Sequence, residues 1–251
     1  MMKRLLLILW MCLGATGLLA NSDSLFNAAN TLYEEGNYEQ ALNTYREITA
    51  SGEESAGLYY NMGNAAFRSN NIGYAILYYE KALKLDPSLE DARHNLEFVS
   101  QYKVDTFEGV PEFFLRTWTA ALVNSLSEKS WSTISILLFA LFLAALLVYL
   151  FSRSLALKKS GFTVALVALL LFAVALTSAL SRHHRIVHPE EAIITAPSVV
   201  VRSSPSETGT ELFVLHEGTK VRVNEEVTGW QNIRVKDGRE GWITSSDFES
   251  I

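Results

Sequence analysis

The sequence predicts a multidomain membrane protein with an all-α helical-repeat domain, a two-helix transmembrane hairpin and a small all-β barrel. Three observations predict this class. A helical pattern recurs after 34 residues near the amino terminus, two long apolar runs follow, and the last part of the chain alternates like short strands. With 49% hydrophobic residues in a chain of 251, part of the protein is expected to lie in lipid.

The helical pattern is clearest in residues 71–87, NIGYAILYYEKALKLDP, whose apolar positions are spaced three or four residues apart. Moving back by 34 residues places Ala75 on Ala41 and Tyr79 on Tyr45. A helix that cannot bury its apolar face alone often belongs to such a repeat. The amino-terminal part is therefore predicted to stack pairs of helices.

The spacing and the small and aromatic positions resemble the tetratricopeptide repeat, in the strings LFNAANTLYEEGNYEQALNTYREI and LYYNMGNAAFRSNNIGYAILYYEKALKLDP. The resemblance implies an all-α tetratricopeptide repeat domain over residues 21–104. Its parts are expected to be two repeats at about 22–55 and 56–89 and a capping helix at 89–104.

Close helix crossings are expected at the small residues of each repeat, such as Ala29 and Gly63, with large side chains filling the remaining space. Tyr38, Tyr45 and Tyr79 are therefore interpreted as core residues that hold the repeats in shape.

A binding surface in such repeats is expected on the concave side, on the first helix of each pair. Asn30 and Asn64 have amides that can bind the backbone of an extended peptide; alternatively they are ordinary solvated residues. A clamp for a terminal carboxylate is not expected, because the basic residues it needs are missing. The candidate peptide-binding residues are Phe26, Asn30, Tyr33, Tyr60, Asn64 and Phe67.

The amino terminus has the layout of a secretory signal peptide over residues 1–20: a positive start, an apolar core and Ala20 before a polar stretch. Leu18 is unfavourable near a cleavage site, so an uncleaved anchor is the alternative. The single cysteine, Cys12, lies inside this segment, and the predicted mature chain contains no thiol.

Two apolar runs have membrane length: Trp131–Phe151 is transmembrane helix 1 and Phe162–Leu180 is transmembrane helix 2. At about 1.5 Å per residue, either run can cross roughly 30 Å of hydrocarbon. The intervening residues 152–160 are short and basic, with Lys158 and Lys159, which predicts a cytoplasmic loop. Both flanking domains are then expected on the periplasmic side of a bacterial inner membrane.

Residues 110–128 carry Phe114, Trp118 and Leu122 at steps of four, which predicts an interfacial amphipathic helix lying on the membrane lipid. The alternative is a helix that packs against the last repeat helix. Either arrangement holds the repeat domain close to the membrane.

Nucleic-acid binding is not expected from the charge distribution. Residues 21–130 contain sixteen acidic and eight basic side chains, and residues 181–251 contain eleven and eight. Neither surface attracts phosphate groups.

The carboxy-terminal residues 186–251 alternate apolar and polar positions between glycine-containing turns, a pattern typical of short hairpins. The strings VVVRSSPS and LHEGTKVRV, and the two GW pairs, resemble the bacterial SH3 domain and imply an all-β SH3-like barrel. Trp230 and Trp242 are candidates for an exposed groove of the barrel, or alternatively for its core.

No catalytic constellation is visible, so an enzyme is not expected, and neither is a cofactor. His184 and His188 are four residues apart, as two metal ligands on one helix face would be. Pro189 follows them and no cysteine accompanies them, so no metal site is predicted.

The order of these segments, with DARHNLEFV and PEFFLRTW, resembles the BatE-type proteins of bacterial aerotolerance operons. The resemblance implies a scaffold that works with von Willebrand A domain membrane proteins and a MoxR-type ATPase. A cell-wall protein that binds peptidoglycan through the barrel, and recruits or regulates a wall enzyme, is the alternative function.

Overall fold

The computed structural model describes residues 22–109 and 113–251, so the predicted signal peptide lies outside the described residues. The described chain forms two compact units. One unit combines residues 22–83 and 89–108 with the carboxy-terminal residues 191–251, and the other contains residues 84–88 and 109–190.

Five helices build the repeat part of the first unit. The first, α1, covers residues 22–34. The others are α2 (Tyr38–Ala50), α3 (Ala56–Arg68), α4 (Ile72–Leu85) and α5 (Glu90–Val99), and a 3-10 turn at Ser100–Tyr102 follows α5. In chain order the helices form two pairs, α1 with α2 and α3 with α4, followed by α5.

Small residues allow the close packing of the repeat helices. Ala29, Ala41 and Ala75 are fully buried. A Cβ atom on Gly63 would lie 2.6 Å from the ring of Tyr79, so no larger residue fits beside that ring. Tyr79 and Tyr45 are each 1% exposed, so these two are core residues. The same interpretation is wrong for Tyr38, which is only half-buried and lies with its ring 4.6 Å from the Arg68 guanidinium.

Helix α4 is buried on more than one face. Besides the expected Ala75, Ile76 and Tyr79, the structure buries Leu77 and Tyr78, at 0% and 4% exposure. A helix buried on several sides needs several partners, and for α4 the carboxy-terminal strands supply one.

Seven strands form one sheet in the order β3-β2-β6-β5-β4-β1-β7, with every neighbouring pair antiparallel. The strands are β1 (Glu191–Ile194), β2 (Ser198–Arg202), β3 (Glu211–His216), β4 (Lys220–Val227), β5 (Trp230–Arg234), β6 (Glu240–Thr244) and β7 (Phe248–Ser250). Alternate residues face a shared core that includes Val201, Leu215, Ile233 and Ile243. This sheet domain is the predicted SH3-like barrel.

The second unit consists mainly of three helices: α6 (Phe114–Asn124), α7 (Glu128–Phe151) and α8 (Leu155–Val187). Helices α7 and α8 are long and apolar enough to cross a membrane. Ser127 caps α7 by accepting a hydrogen bond from the Ser130 amide at 3.2 Å. Trp131 donates to the Val123 carbonyl at 3.1 Å and so ties α7 to the end of α6.

Three predicted boundaries differ from the structure. The predicted loop over residues 152–160 is helical from Leu155 onward, because good helix formers follow Ser154. Helix α8 also continues to Val187, past the predicted start of the barrel at residue 186. The interfacial helix predicted for residues 110–128 is the shorter α6, and residues 110–112 lie outside the described part.

Candidate functional site

The six candidate peptide-binding side chains lie on α1 and α3, and all six are half-buried. We call this set, defined above as Phe26, Asn30, Tyr33, Tyr60, Asn64 and Phe67, the repeat groove. Within each helix the three residues are separated by four and then three positions, which places them on one helix face.

Asn30 joins two neighbouring helices through one carbonyl oxygen. Its Oδ1 accepts a hydrogen bond from the Tyr45 hydroxyl at 2.5 Å and another from the Asn61 amide nitrogen at 3.2 Å. Tyr45 belongs to α2 and Asn61 to α3. The carbonyl of Asn30 therefore helps to fix the stacking of the first repeat on the second.

Asn64 repeats this arrangement one period later. Its Oδ1 accepts from the Tyr79 hydroxyl at 2.7 Å and from the Asn95 amide nitrogen at 2.9 Å. Within the described residues, the amide nitrogens of Asn30 and Asn64 donate no hydrogen bond. Each amide nitrogen therefore keeps two N–H donors for a ligand.

Burial sets the protonation state of the tyrosines beneath the groove. It raises the pKa of Tyr45 to about 12, although the hydrogen bond with Asn61 acts in the opposite direction. Burial also raises the pKa of Tyr79. Both hydroxyls therefore stay protonated at neutral pH and remain hydrogen-bond donors to the asparagines.

An aromatic cluster lies at one end of the groove. Phe67 contacts Phe98 with ring centroids 5.7 Å apart and Tyr102 with centroids 5.9 Å apart. Phe98 is 45% exposed and Tyr102 is 56% exposed, although both are large aromatic residues. Sequence analysis missed these two, because they lie on the capping helix and the turn after it rather than at a repeated position.

Trp230 and Trp242 lie outside the apolar core of the barrel. Trp230 pairs with Thr244 and Trp242 pairs with Asn232, so both tryptophans face the same side of the sheet, opposite Ile233 and its buried neighbours. Both rings are half-buried on the outer face of β5 and β6.

Polar contacts join the repeat helices to the barrel, and sequence analysis did not find them. Glu217 accepts a hydrogen bond from the backbone amide of Gly73 at 3.0 Å, at the amino terminus of α4. The Lys220 ammonium lies 3.1 Å from a Glu80 carboxylate oxygen and 2.9 Å from one of Glu191. The sequence contains one weak indication of this contact, since α4 carries apolar residues outside its predicted face.

The carboxylates beside Lys220 favour its charged form. Burial alone would lower the pKa of Lys220, but the carboxylates of Glu80 and Glu191 outweigh it and the pKa is raised. Burial raises the pKa of Tyr74 on α4, and the carboxylate of Glu249 in the barrel raises it further. The barrel therefore contacts α4 along several of its turns.

No group of three or more metal-binding side chains occurs within residues 22–109 and 113–251. His184 and His188 stack with ring centroids 4.6 Å apart.

Comparison with known families gives one match before and one match after the two long apolar helices in the sequence. Residues 26–90 match the tetratricopeptide repeat family, and residues 197–249 match the bacterial SH3 domain family. Tetratricopeptide repeats are typical of proteins that bind other proteins, and bacterial SH3 domains occur in proteins that bind the cell wall. The search of curated proteins finds no match for this chain.

Proposed function

We propose that this protein is a non-enzymatic, membrane-anchored adaptor that assembles envelope protein complexes through the repeat groove. The observation that carries the proposal is the pair of asparagines at equivalent positions of successive repeats, each with amide donors unused within the described residues, in a groove lined by half-buried aromatic rings. Donors spaced along a groove suit the carbonyl groups of an extended peptide, and the aromatic rings suit its apolar side chains.

The proposed partners follow from the resemblance to BatE-type aerotolerance proteins. They are von Willebrand A domain membrane proteins that work with a MoxR-type ATPase. The acidic excess of the amino-terminal half favours a partner segment with basic residues.

The test uses a double substitution, Asn30→Asp with Asn64→Asp. Aspartate keeps the oxygen that accepts from the tyrosine and from the next asparagine, but it removes the two N–H donors. We expect roughly tenfold or greater loss of crosslinked partners in intact cells, measured by mass spectrometry after purification in mild detergent.

The matched control is Asn27→Asp with Asn43→Asp, which adds the same charge at exposed positions of α1 and α2 outside the groove. Recovery of von Willebrand A domain proteins by the wild type and the control, but not by the groove variant, supports the proposal. Equal recovery by all three chains contradicts the groove as the binding site.

We also propose that both domains face the periplasm. The repeat helices and the barrel pack in one unit, and folding them together requires that the chain return to the side it left. Lys158 and Lys159, in the first turns of α8, favour a cytoplasmic connection.

A reporter enzyme that is active only outside the cytoplasm, fused after Ile251, tests this topology. Activity is expected. An inactive fusion that is expressed at normal level contradicts the periplasmic assignment of the barrel.

A second candidate function is binding to peptidoglycan through the barrel, with recruitment or regulation of a wall enzyme. The observation in its favour is the position of Trp230 and Trp242 on one outer face, since half-exposed aromatic rings often mark ligand sites.

Cosedimentation of the detergent-purified full chain with isolated cell wall separates the two functions. If the barrel binds the wall, Trp230→Ala with Trp242→Ala reduces cosedimentation, whereas Val214→Ala, a substitution at an exposed apolar position of β3, does not. No cosedimentation of the wild type at several ionic strengths contradicts wall binding.

A further inference from the structure

The chain between the repeat domain and the membrane helices lies against the barrel in an alternating pattern. We call residues 103–108, KVDTFE, the linker segment. Lys103, Asp105 and Phe107 are half-buried, whereas the three residues between and after them are exposed. A period of two in burial is typical of an extended chain with one face in contact with a surface.

Asp105 is the centre of this contact. Its Oδ2 accepts from the backbone amide of His216 at 2.6 Å and from the Thr219 hydroxyl at 2.8 Å, and its Oδ1 lies 3.0 Å from Nδ1 of the His216 ring. The Asp105 side chain is only 12% exposed. Three partners on one carboxylate make a specific acidic subsite.

Burial alone would raise the pKa of Asp105, but the hydrogen bonds from His216 and Thr219 outweigh it, and the pKa is lowered. The subsite therefore favours the ionised carboxylate.

Phe107 occupies an apolar subsite two residues further on. It packs against the core residues of the barrel, as Phe213 of β3 does. The Arg239 guanidinium lies 4.5 Å from the ring centroid of Phe213 and 5.2 Å from that of Phe107, so it contacts both rings.

Lys103 completes the contact at the turn between β3 and β4. A Cβ atom on Gly218 would lie 3.3 Å from Cγ of Lys103, so the aliphatic stem of the lysine covers this glycine. Gly218 also has a φ of +80°, which a residue with a side chain rarely adopts.

We propose that the barrel has a peptide-binding site for extended segments with an acidic residue followed two positions later by an aromatic one, and that residues 103–107 of the same chain occupy it. The site consists of His216, Gly218, Thr219, Phe213 and Arg239. All five lie within the part of the chain that matches the bacterial SH3 domain family.

The contact differs from strand addition to a sheet edge. Between the linker segment and the barrel, the described backbone makes no amide-to-carbonyl hydrogen bond. Side chains at alternate positions carry the recognition instead, so sequence specificity comes from Asp105 and Phe107 rather than from a shared backbone ladder.

Because the ligand belongs to the same chain, its effective concentration at the site is high, on the order of millimolar for a short connection. A separate peptide with an acidic residue followed two positions later by an aromatic one therefore cannot bind while the linker segment occupies the site. The site is independent of the repeat groove and of the outer-face tryptophans.

Hydrogen exchange of the full chain in detergent tests whether the site is occupied. Asp105→Ala removes the acceptor for the His216 amide, and we expect exchange in the peptide containing His216–Thr219 to accelerate by about tenfold or more. The matched control, Glu108→Ala, removes a carboxylate from the exposed face of the same segment and should leave exchange unchanged.

Thr219→Val provides a second variant that keeps side-chain volume but removes one donor. It should accelerate exchange in the linker segment, with β5 and β6 still protected. Unchanged exchange in both Asp105→Ala and Thr219→Val overturns the assignment.

Binding of an added peptide tests the chemistry of the site. A fluorescent peptide with the sequence of residues 100–109 should bind the full chain carrying Asp105→Ala and Phe107→Ala, and should bind the wild type at least about tenfold more weakly. A peptide with alanine in place of its aspartate should not bind. Equal binding to both chains, or to neither up to millimolar peptide, overturns the proposal.

Discussion

At the scale of single residues, the carbonyl oxygens of Asn30 and Asn64 stabilise helix packing, whereas their amide nitrogens donate no hydrogen bond within the described residues. The carbonyl oxygen of Asn64 satisfies the hydroxyl of Tyr79, which is almost fully buried, while the amide nitrogen remains available. The hydrogen bond accepted by the Asn64 carbonyl oxygen should contribute measurably to the stability of the repeat domain.

Replacing Asn64 with Ala leaves the Tyr79 hydroxyl without its acceptor. We expect the free energy of unfolding of the repeat domain to fall by about 1–3 kcal/mol, the usual effect of an unsatisfied buried polar group. Asn64→Asp keeps the acceptor and should have a smaller effect. Denaturant titration of the full chain in detergent, followed by far-ultraviolet circular dichroism, measures the difference, and equal losses would contradict the role of the carbonyl.

Gly63 provides a second residue-scale prediction. An added methyl group would lie 2.6 Å from two ring atoms of the buried Tyr79, so Gly63→Ala should destabilise the repeat domain by about 1–3 kcal/mol. Gly57 lies in the same helix, and no neighbouring atom of the described residues lies within 4 Å of its Cβ position, so Gly57→Ala should stabilise by about 0.5–1 kcal/mol. Thermal unfolding of the two variants should therefore shift in opposite directions.

At the scale of elements, the 34-residue period and the apolar spacing were sufficient to predict the repeat helices, the two long apolar helices and the strands of the barrel. Helix α4 is more extensively buried than predicted, because residues such as Leu77 and Tyr78 are buried outside the predicted face. A single sequence shows that such residues are apolar, but the barrel, which contacts α4 at Gly73 and Ile76, is more than a hundred positions away in the chain.

For the candidate groove residues, the sequence indicated a shared helix face but not the hydrogen bonds. The repeat period placed Asn30 and Asn64 on equivalent faces, whereas the hydrogen bonds to Tyr45 and Tyr79 depend on the crossing of two helices. The acidic subsite of the barrel was missed for a similar reason. Asp105 and His216 are 111 residues apart, and no local pattern relates them.

The helix pair α7 and α8 approaches closely at Gly161, where a Cβ atom would lie 2.9 Å from the backbone nitrogen of Tyr149. Gly161→Val should therefore separate the helices locally, since small residues allow close approach in membranes. Ala173→Val, on the exposed face of α8, is the matched control. Crosslinking between cysteines placed near Ala145 and Ala165 should decrease in the Gly161 variant alone, and an unchanged yield would contradict this packing.

At the scale of the whole molecule, the contacts of the barrel with the linker segment and with α4 should depend on pH at two limits. The pKa of Asp105 is lowered below its ordinary value of 3.8, so its stabilisation is complete above that value and is lost as the pH falls through the lower folded-state pKa. The pKa of Lys220 is raised above 10.5, so its stabilisation is complete below 10.5 and is lost as the pH rises further.

Hydrogen exchange of the turn at His216–Thr219 should therefore stay slow between about pH 4 and pH 10, after correction for intrinsic exchange. The acid limit should disappear in Asp105→Asn, whose side chain faces His216 and Thr219. The alkaline limit should disappear in Lys220→Met, which faces Glu80 and Glu191. If either pH limit persists in the corresponding variant, the pH dependence is caused by other groups.

The packing of residues 191–251 on α4 also determines the order in which the parts of the protein can finish folding during synthesis. About 80 residues separate the linker segment from β1, and at roughly 5–20 residues per second the ribosome needs about 4–16 s to supply them. During that interval the side of α4 that includes Gly73 and Ile76 has no barrel to cover it. The amino-terminal domain therefore reaches its final form only after the two long apolar helices have been made.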